Sequence, residues 1–163
     1  MHVFPSMVHP KQKRKKVISM VEQDTIKLLR ECDAGAKMAV TSIDDVLDSV
    51  KNGTLRKALA ECKEKHIQLD SEIHLLLTNY GDEGKEPSFM AESMSWLKTN
   101  AKMMMDDSDE TIADLMIDGC DMGVKSLSRY LNKYKAADEA SKRLAKRLIH
   151  SEEQLASDLR PYL

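Results

Sequence analysis

Aromatic residues are scarce in this chain, with two Phe, one Trp and four Tyr among 163 residues. A core with so few rings must be filled by aliphatic side chains and by the eleven Met, whose flexible thioethers suit irregular gaps. Six Gly and four Pro are also few, which argues against a sheet of many tight turns and for long helices. No run approaches the ~20 apolar residues that a membrane-spanning helix needs. Cys32, Cys62 and Cys120 are odd in number and lack CxxC spacing, so no disulfide framework or zinc ribbon is written here. With no apolar leader either, a reducing cytoplasm is the expected location. A formal net charge of −2 gives no global basic field for nucleic acid. No glycine-rich run precedes a helix and no nucleophile elbow occurs, so neither a phosphate loop nor the α/β-hydrolase motif is written here.

What is present is helical periodicity. Residues 1–14, MHVFPSMVHPKQKR, read as a disordered basic tail, and 15–163 as a single domain. From Ile18 the apolar or small positions Val21, Thr25, Leu28, Cys32, Gly35, Ala39, Ser42 and Val46 alternate steps of three and four, which is one face of a long helix. A second row through Leu29, Asp33, Ala36 and Val40 widens that face and brings Asp33 into it. The helix is expected to end at the turn pair Asn52-Gly53. Leu55, Leu59, Cys62, His66, Leu69, Ile73 and Leu76 give a second helix with a histidine in its seam, stopping near Gly81. A shorter helix is expected within 88–105. Asp107 with Glu110 is expected to form a capping box that starts the third long helix, which buries Ile112, Met116, Cys120, Gly123 and Leu127, with Asp121 in the flanking row. A turn at Ala136-Ala137-Asp138 leads to the fourth helix, with Leu144, Leu148, Ser151, Leu155 and Leu159 inward.

The phrases CDAGAK (Cys32 to Lys37) and CDMGVK (Cys120 to Lys125) fall on the first and third helices. Cys32 with Cys120, and Gly35 with Gly123, are therefore expected to be structural equivalents, and both Asp33 and Asp121 to face the interior. Glycine inside a helix costs roughly 1 kcal/mol relative to Ala. A close crossing of the first and third helices, or a bulky neighbour such as Tyr130 or His66, would offset that. Leu at either glycine should then overpack the bundle.

The expected fold is all-α: a four-helix up-down bundle of two hairpins joined by a long crossover with a short extra helix. Two helix pairs, the repeated Asp-x-Gly phrase, and a Trp-bearing crossover (MSWLK, then DDSDE) resemble the ferritin-like superfamily, nearest to its small uncharacterised bacterial domains. That resemblance implies a possible pair of iron or manganese ions held by carboxylates on helices one and three and Glu-x-x-His on helices two and four. Asp33 and Asp121 occupy the first pair of positions. His66, His150 and Glu153 are the remaining candidate metal ligands, but CKEKHIQL and LIHSEEQL contain no Glu-x-x-His. The favoured expectation is therefore a structural or interaction module, not an enzyme, with a degenerate or absent di-metal site and no cofactor. The alternative is a divergent di-iron or di-manganese protein acting as an oxidase, peroxide scavenger or iron handler. A homo-oligomer is expected from the Met-rich and Trp-bearing surfaces, and a protein partner is not identified by any motif.

Overall fold

The computed structural model describes residues 10–84 and 106–163, with side chains described from Ser19 onward. The described residues form four long helices: α1 (Pro10–Leu47), α2 (Gly53–Asn79), α3 (Asp109–Lys133) and α4 (Glu139–Leu159). A short 3-10 turn, Arg160–Tyr162, follows, with Pro161 near its start. No strand occurs among the described residues, and no helix there is long and apolar enough to cross a membrane. The expected crossover helix within 88–105 lies outside the described residues.

Local chemistry sets the helix ends. α1 reaches back to Pro10, into the stretch read as a tail; proline suits a first helical position and the Lys, Arg and Gln that follow are good helix formers. At its other end α1 stops at Leu47, earlier than the Asn52-Gly53 pair. Asn52 instead caps α2: its backbone is extended and its side-chain oxygen accepts from Thr54 N at 2.9 Å and Leu55 N at 3.1 Å. α2 ends as its glycine suggested. Gly81 has φ +66, Gly81 N donates to Thr78 O and Asp82 N to Leu77 O, the paired bonds of a Schellman termination. The start of α3 is set by Ser108, whose hydroxyl accepts from Thr111 N, not by an Asp107 capping box. Asp109 is free to bond elsewhere, while Asp109 and Glu110 complement the positive end of the helix dipole. Asp138, in the turn expected at Ala136-Ala137-Asp138, caps α4 through Ser141 N at 2.8 Å.

Two sets of hydrogen bonds fix the arrangement of the hairpins. Backbone Lys51 N and Asn52 N, in the α1–α2 connection, both donate to the Asp109 carboxylate at 2.8 Å. At the other end, Asp24 and the fully buried Thr25 of α1 accept from Ala136 N and Asp138 N in the α3–α4 turn. α2 and α3 therefore start at the same end of the bundle. α1 packs against all three other helices, whereas α3 packs chiefly on α4 and α1.

The buried apolar side chains fall into two clusters. One, near the α1–α2 connection, includes Ile43, Val50, Leu55, Leu59, Met116 and Leu159. The other, toward the α3–α4 turn, includes Leu28, Leu29, Ile73, Leu77, Leu144 and Leu148. Between them the bundle holds a polar layer centred on His66 of α2 and Glu152 of α4, both buried.

Candidate functional site

The polar layer opens into a cavity along the α1–α3 seam. Small side chains line both walls: Ala34, Gly35 and Ala39 from α1, and Gly119, Gly123 and Ser126 from α3. Met38, Met116 and Met122 add deformable side chains to the lining, and the volume of this partly open cavity is about 70 Å³. The helices do not cross closely here, contrary to what the interior glycines suggested. A Cβ at Gly35 would meet only Leu127 at 4.0 Å, one at Gly119 would meet nothing within 4 Å, and one at Gly123 would meet only Glu152 at 3.6 Å. The three glycines make room; they do not bring backbones together.

His66 and Glu152 form the floor. His66 Nε2 lies 2.6 Å from Glu152 Oε1, and Nδ1 lies 2.9 Å from the carbonyl oxygen of Cys62. Both ring nitrogens face acceptors, so the arrangement favours the doubly protonated imidazolium. Burial alone would lower the His66 pKa, but the bonds to Cys62 and Glu152 and the Glu152 charge together outweigh it, raising it from 6.5 to about 10. The floor is thus an ion pair of zero net charge, whose second carboxylate oxygen, Oε2, lies toward Gly123 at the cavity wall.

Cysteines border the same layer without the properties of nucleophiles. Burial pushes the Cys32 thiol up to about 12, and burial with the neighbouring Glu152 carboxylate holds Cys120 far above its ordinary range. Neither is a thiolate at neutral pH, the form that would attack or ligate.

A second group of polar residues lies on the α1–α2 face. Asp33 of α1 is fully buried; its Oδ2 accepts from Lys37 Nζ at 3.1 Å and its Oδ1 lies 2.9 Å from His74 Nε2. Asp70, one helical turn before His74 on α2, approaches the same imidazole at 3.6 Å. Burial, then the adjacent Asp33 carboxyl, raises the Asp70 pKa to about 6. Gly84 closes over this group, with φ +90 and no space for a Cβ, which would fall 2.5 Å from Asp33 Oδ2.

Comparison of the chain with protein-family profiles, curated proteins and solved structures finds no match. The site therefore has to be judged on its own residues.

Of the five ligand candidates chosen from the sequence, the structure does not assemble one constellation. Asp33 and His66 are buried, but Asp33 pairs with Lys37 and His74, and His66 with Glu152. Asp121, expected to mirror Asp33, is exposed, as are His150 and Glu153. The correction for Asp121 has a packing cause: α1 is covered by three helices, so the row beside its seam is buried, while the equivalent row on the more peripheral α3 faces water. The repeated phrase is thus equivalent at its Cys and Gly positions only. Cys32 and Cys120 are both buried, and Gly35 and Gly123 both line the cavity.

Three polar residues were missed: Glu152, Asp70 and His74. Each carried a signal. Glu152 stands four residues after Leu148 and three before Leu155, a seam position equal in spacing to the neighbouring Ser151. Asp70 and His74 are four apart on a helix, so they share a face.

Proposed function

We propose that this chain is a ferritin-like helical bundle without a di-metal centre, working as a binding module rather than an enzyme. Its cargo is a small, mainly apolar molecule with one hydrogen-bond donor, held in the α1–α3 cavity. One observation carries the proposal: three interior glycines face a Met-lined cavity whose floor is a buried ion pair, and none of them is required by a close backbone contact.

The energetic cost of that cavity is substantial. Each interior glycine gives up about 1 kcal/mol of helix propensity. An empty 70 Å³ cavity costs roughly 2 kcal/mol at ~24 cal/mol per Å³. Together these approach the lower end of the ~5–15 kcal/mol by which a domain is stable. An occupant that fills the cavity offsets part of that cost, and the methionines adapt to its shape. A hydroxyl, amine or indole N–H on the ligand would donate to Glu152 Oε2, the natural acceptor at the wall. The lining, apolar with few convergent polar groups, has the general character of a small-molecule site.

The di-metal alternative has less support. Such a centre draws ligands from four helices into one interior, and with Asp121, His150 and Glu153 exposed the residues present do not fit it. The two-hairpin arrangement, with α2 and α3 starting at one end, is what supports the ferritin-like part of the reading. The exposed large apolar side chains described, Met20, Ile67, Leu75, Met122 and Leu163, are spread over α1, α2, α3 and the final residue, so binding is assigned to the cavity and not to a subunit contact.

Isothermal titration with pyrrole, a five-membered apolar ring with one N–H whose size suits a cavity of about 70 Å³, tests the proposal. The expected result is saturable binding at one site per chain, abolished in the cavity-filling variants Gly35→Leu and Ala39→Met while circular dichroism shows an intact bundle. Absence of saturable binding to the wild-type chain, or binding unaltered in both variants, would count against it.

A further inference from the structure

Asp33, Asp70 and His74 offer two carboxylates and one imidazole whose ligand atoms all lie within 4.8 Å of one another. They come from two helices, and the pair on α2 is spaced four residues apart, so a single ion could reach both from one face. The separations suit a small ion. Metal–ligand bonds of ~2.1 Å make edges of about 3.0 to 3.4 Å between neighbouring ligand atoms. His74 Nε2 already stands 2.9 Å from Asp33 Oδ1 and 3.6 Å from Asp70 Oδ2.

One further observation points to a cation. Asp70 Oδ1 is shielded from solvent and the Asp70 carboxyl stands against that of Asp33, so two carboxyl groups share one partly buried spot, which a dication between them would relieve. Gly84 covers the buried Asp33 so closely that only a residue without a side chain fits, and it stands against the His74 ring as well, while His74 itself remains half-exposed. From these features we propose that Asp33, Asp70 and His74 form a mononuclear site for a first-row divalent cation that accepts mixed oxygen and nitrogen ligands, with zinc and manganese the fitting ions and water completing the coordination. The site lies on the α1–α2 face, separate from the cavity floor and independent of the function proposed for it.

Lys37 is part of the same device. Its ammonium, on a flexible stem that remains partly exposed, holds the Asp33 oxygen at 3.1 Å and occupies charge space that a dication would take. Metal entry therefore displaces Lys37 toward solvent, and the two cations compete for Asp33.

The test is isothermal titration of the chelator-treated full chain with Zn²⁺ and Mn²⁺, with Ca²⁺ as a control that prefers more numerous oxygen ligands. One-to-one binding of Zn²⁺ or Mn²⁺ is expected, weakened at least tenfold by His74→Gln and by Asp70→Asn. Lys37→Met should tighten it at least threefold, and His150→Gln should leave it unchanged. His74 and Asp70 are at least partly exposed, so their variants are expected to keep the fold, checked by circular dichroism. No stoichiometric binding to the wild-type chain, binding that survives His74→Gln, or affinity unmoved by Lys37→Met would overturn the assignment.

Discussion

Neither His66 nor Glu152 can be removed alone without leaving its partner in a layer that excludes water. Glu152→Leu should destabilise the bundle by about 3 kcal/mol in urea unfolding near pH 7, because it strands a buried imidazole that must either stay charged or lose its proton. Replacing both, His66→Leu with Glu152→Leu, should recover most of that loss, since buried ion pairs exchanged for packed apolar groups are often neutral in stability. The pH dependence follows from the raised His66 pKa. Stability from this group is complete below its unfolded value of 6.5 and is lost as pH rises toward the folded value of about 10. The groups around it are Cys62 on its own helix, Glu152 on α4 and the Cys120 thiol of α3 bonded to that carboxylate, with Glu31 of α1 on the cavity wall. Wild-type stability should therefore fall between pH 7 and 10 more steeply than that of Glu152→Leu, and equal slopes would exclude this coupling. His66 could be read from the sequence because it falls in an unbroken apolar seam. Glu152 could not, because five polar residues stand together from His150 to Gln154 and a small rotation of α4 decides which of them turn inward.

Among the helices, α1 and α3 show where a repeated phrase predicts geometry and where it does not. Positions on the central stripe keep the same burial, Cys32 with Cys120, or the same cavity wall, Gly35 with Gly123, although Cys32 packs in one apolar cluster and Cys120 in the other. A position beside the stripe depends on how many neighbours the helix has, which short-range spacing does not encode; hence Asp33 is buried and Asp121 exposed. The four long helices, the α4 seam, the α2 seam from Leu55 to Ile73 and the Gly81 stop were legible because capping and periodicity are local, while beyond Ile73 it is Leu77 and not the expected Leu76 that is fully buried. The α1–α3 cavity was not, because interior glycine signals either close contact or empty space and only the facing helix tells which. Two glycine substitutions separate these cases. Gly119→Ala, with nothing within 4 Å of the new methyl, should stabilise α3 by about 1 kcal/mol and raise Tm by roughly 2–4 °C. Gly84→Ala should have the opposite sign, a loss of about 1–3 kcal/mol, because φ +90 strains alanine and its methyl would strike Asp33. Thermal unfolding of the two proteins side by side checks both, and a loss of stability in Gly119→Ala would mean that the seam is tighter than described.

Across the whole molecule, two apolar cores are joined through a layer that is polar on one side and hollow on the other. Cohesion between the ends of the bundle then depends on what occupies the hollow. A ligand that binds only the folded chain stabilises it by RT ln(1 + [L]/Kd), about 2.7 kcal/mol at a hundredfold excess over Kd. For a chain of this size that corresponds to a rise in Tm of roughly 5–10 °C. Gly35→Leu occupies the same space covalently, so it should abolish the ligand-dependent rise while changing the ligand-free Tm less than the ligand does. The expected pattern is a concentration-dependent Tm in the wild-type chain with pyrrole and a flat one in the variant, read by differential scanning calorimetry. A rise of equal size in both would place the probe elsewhere on the bundle. A wild-type Tm independent of probe concentration would mean that the space between the cores serves only as slack in the packing.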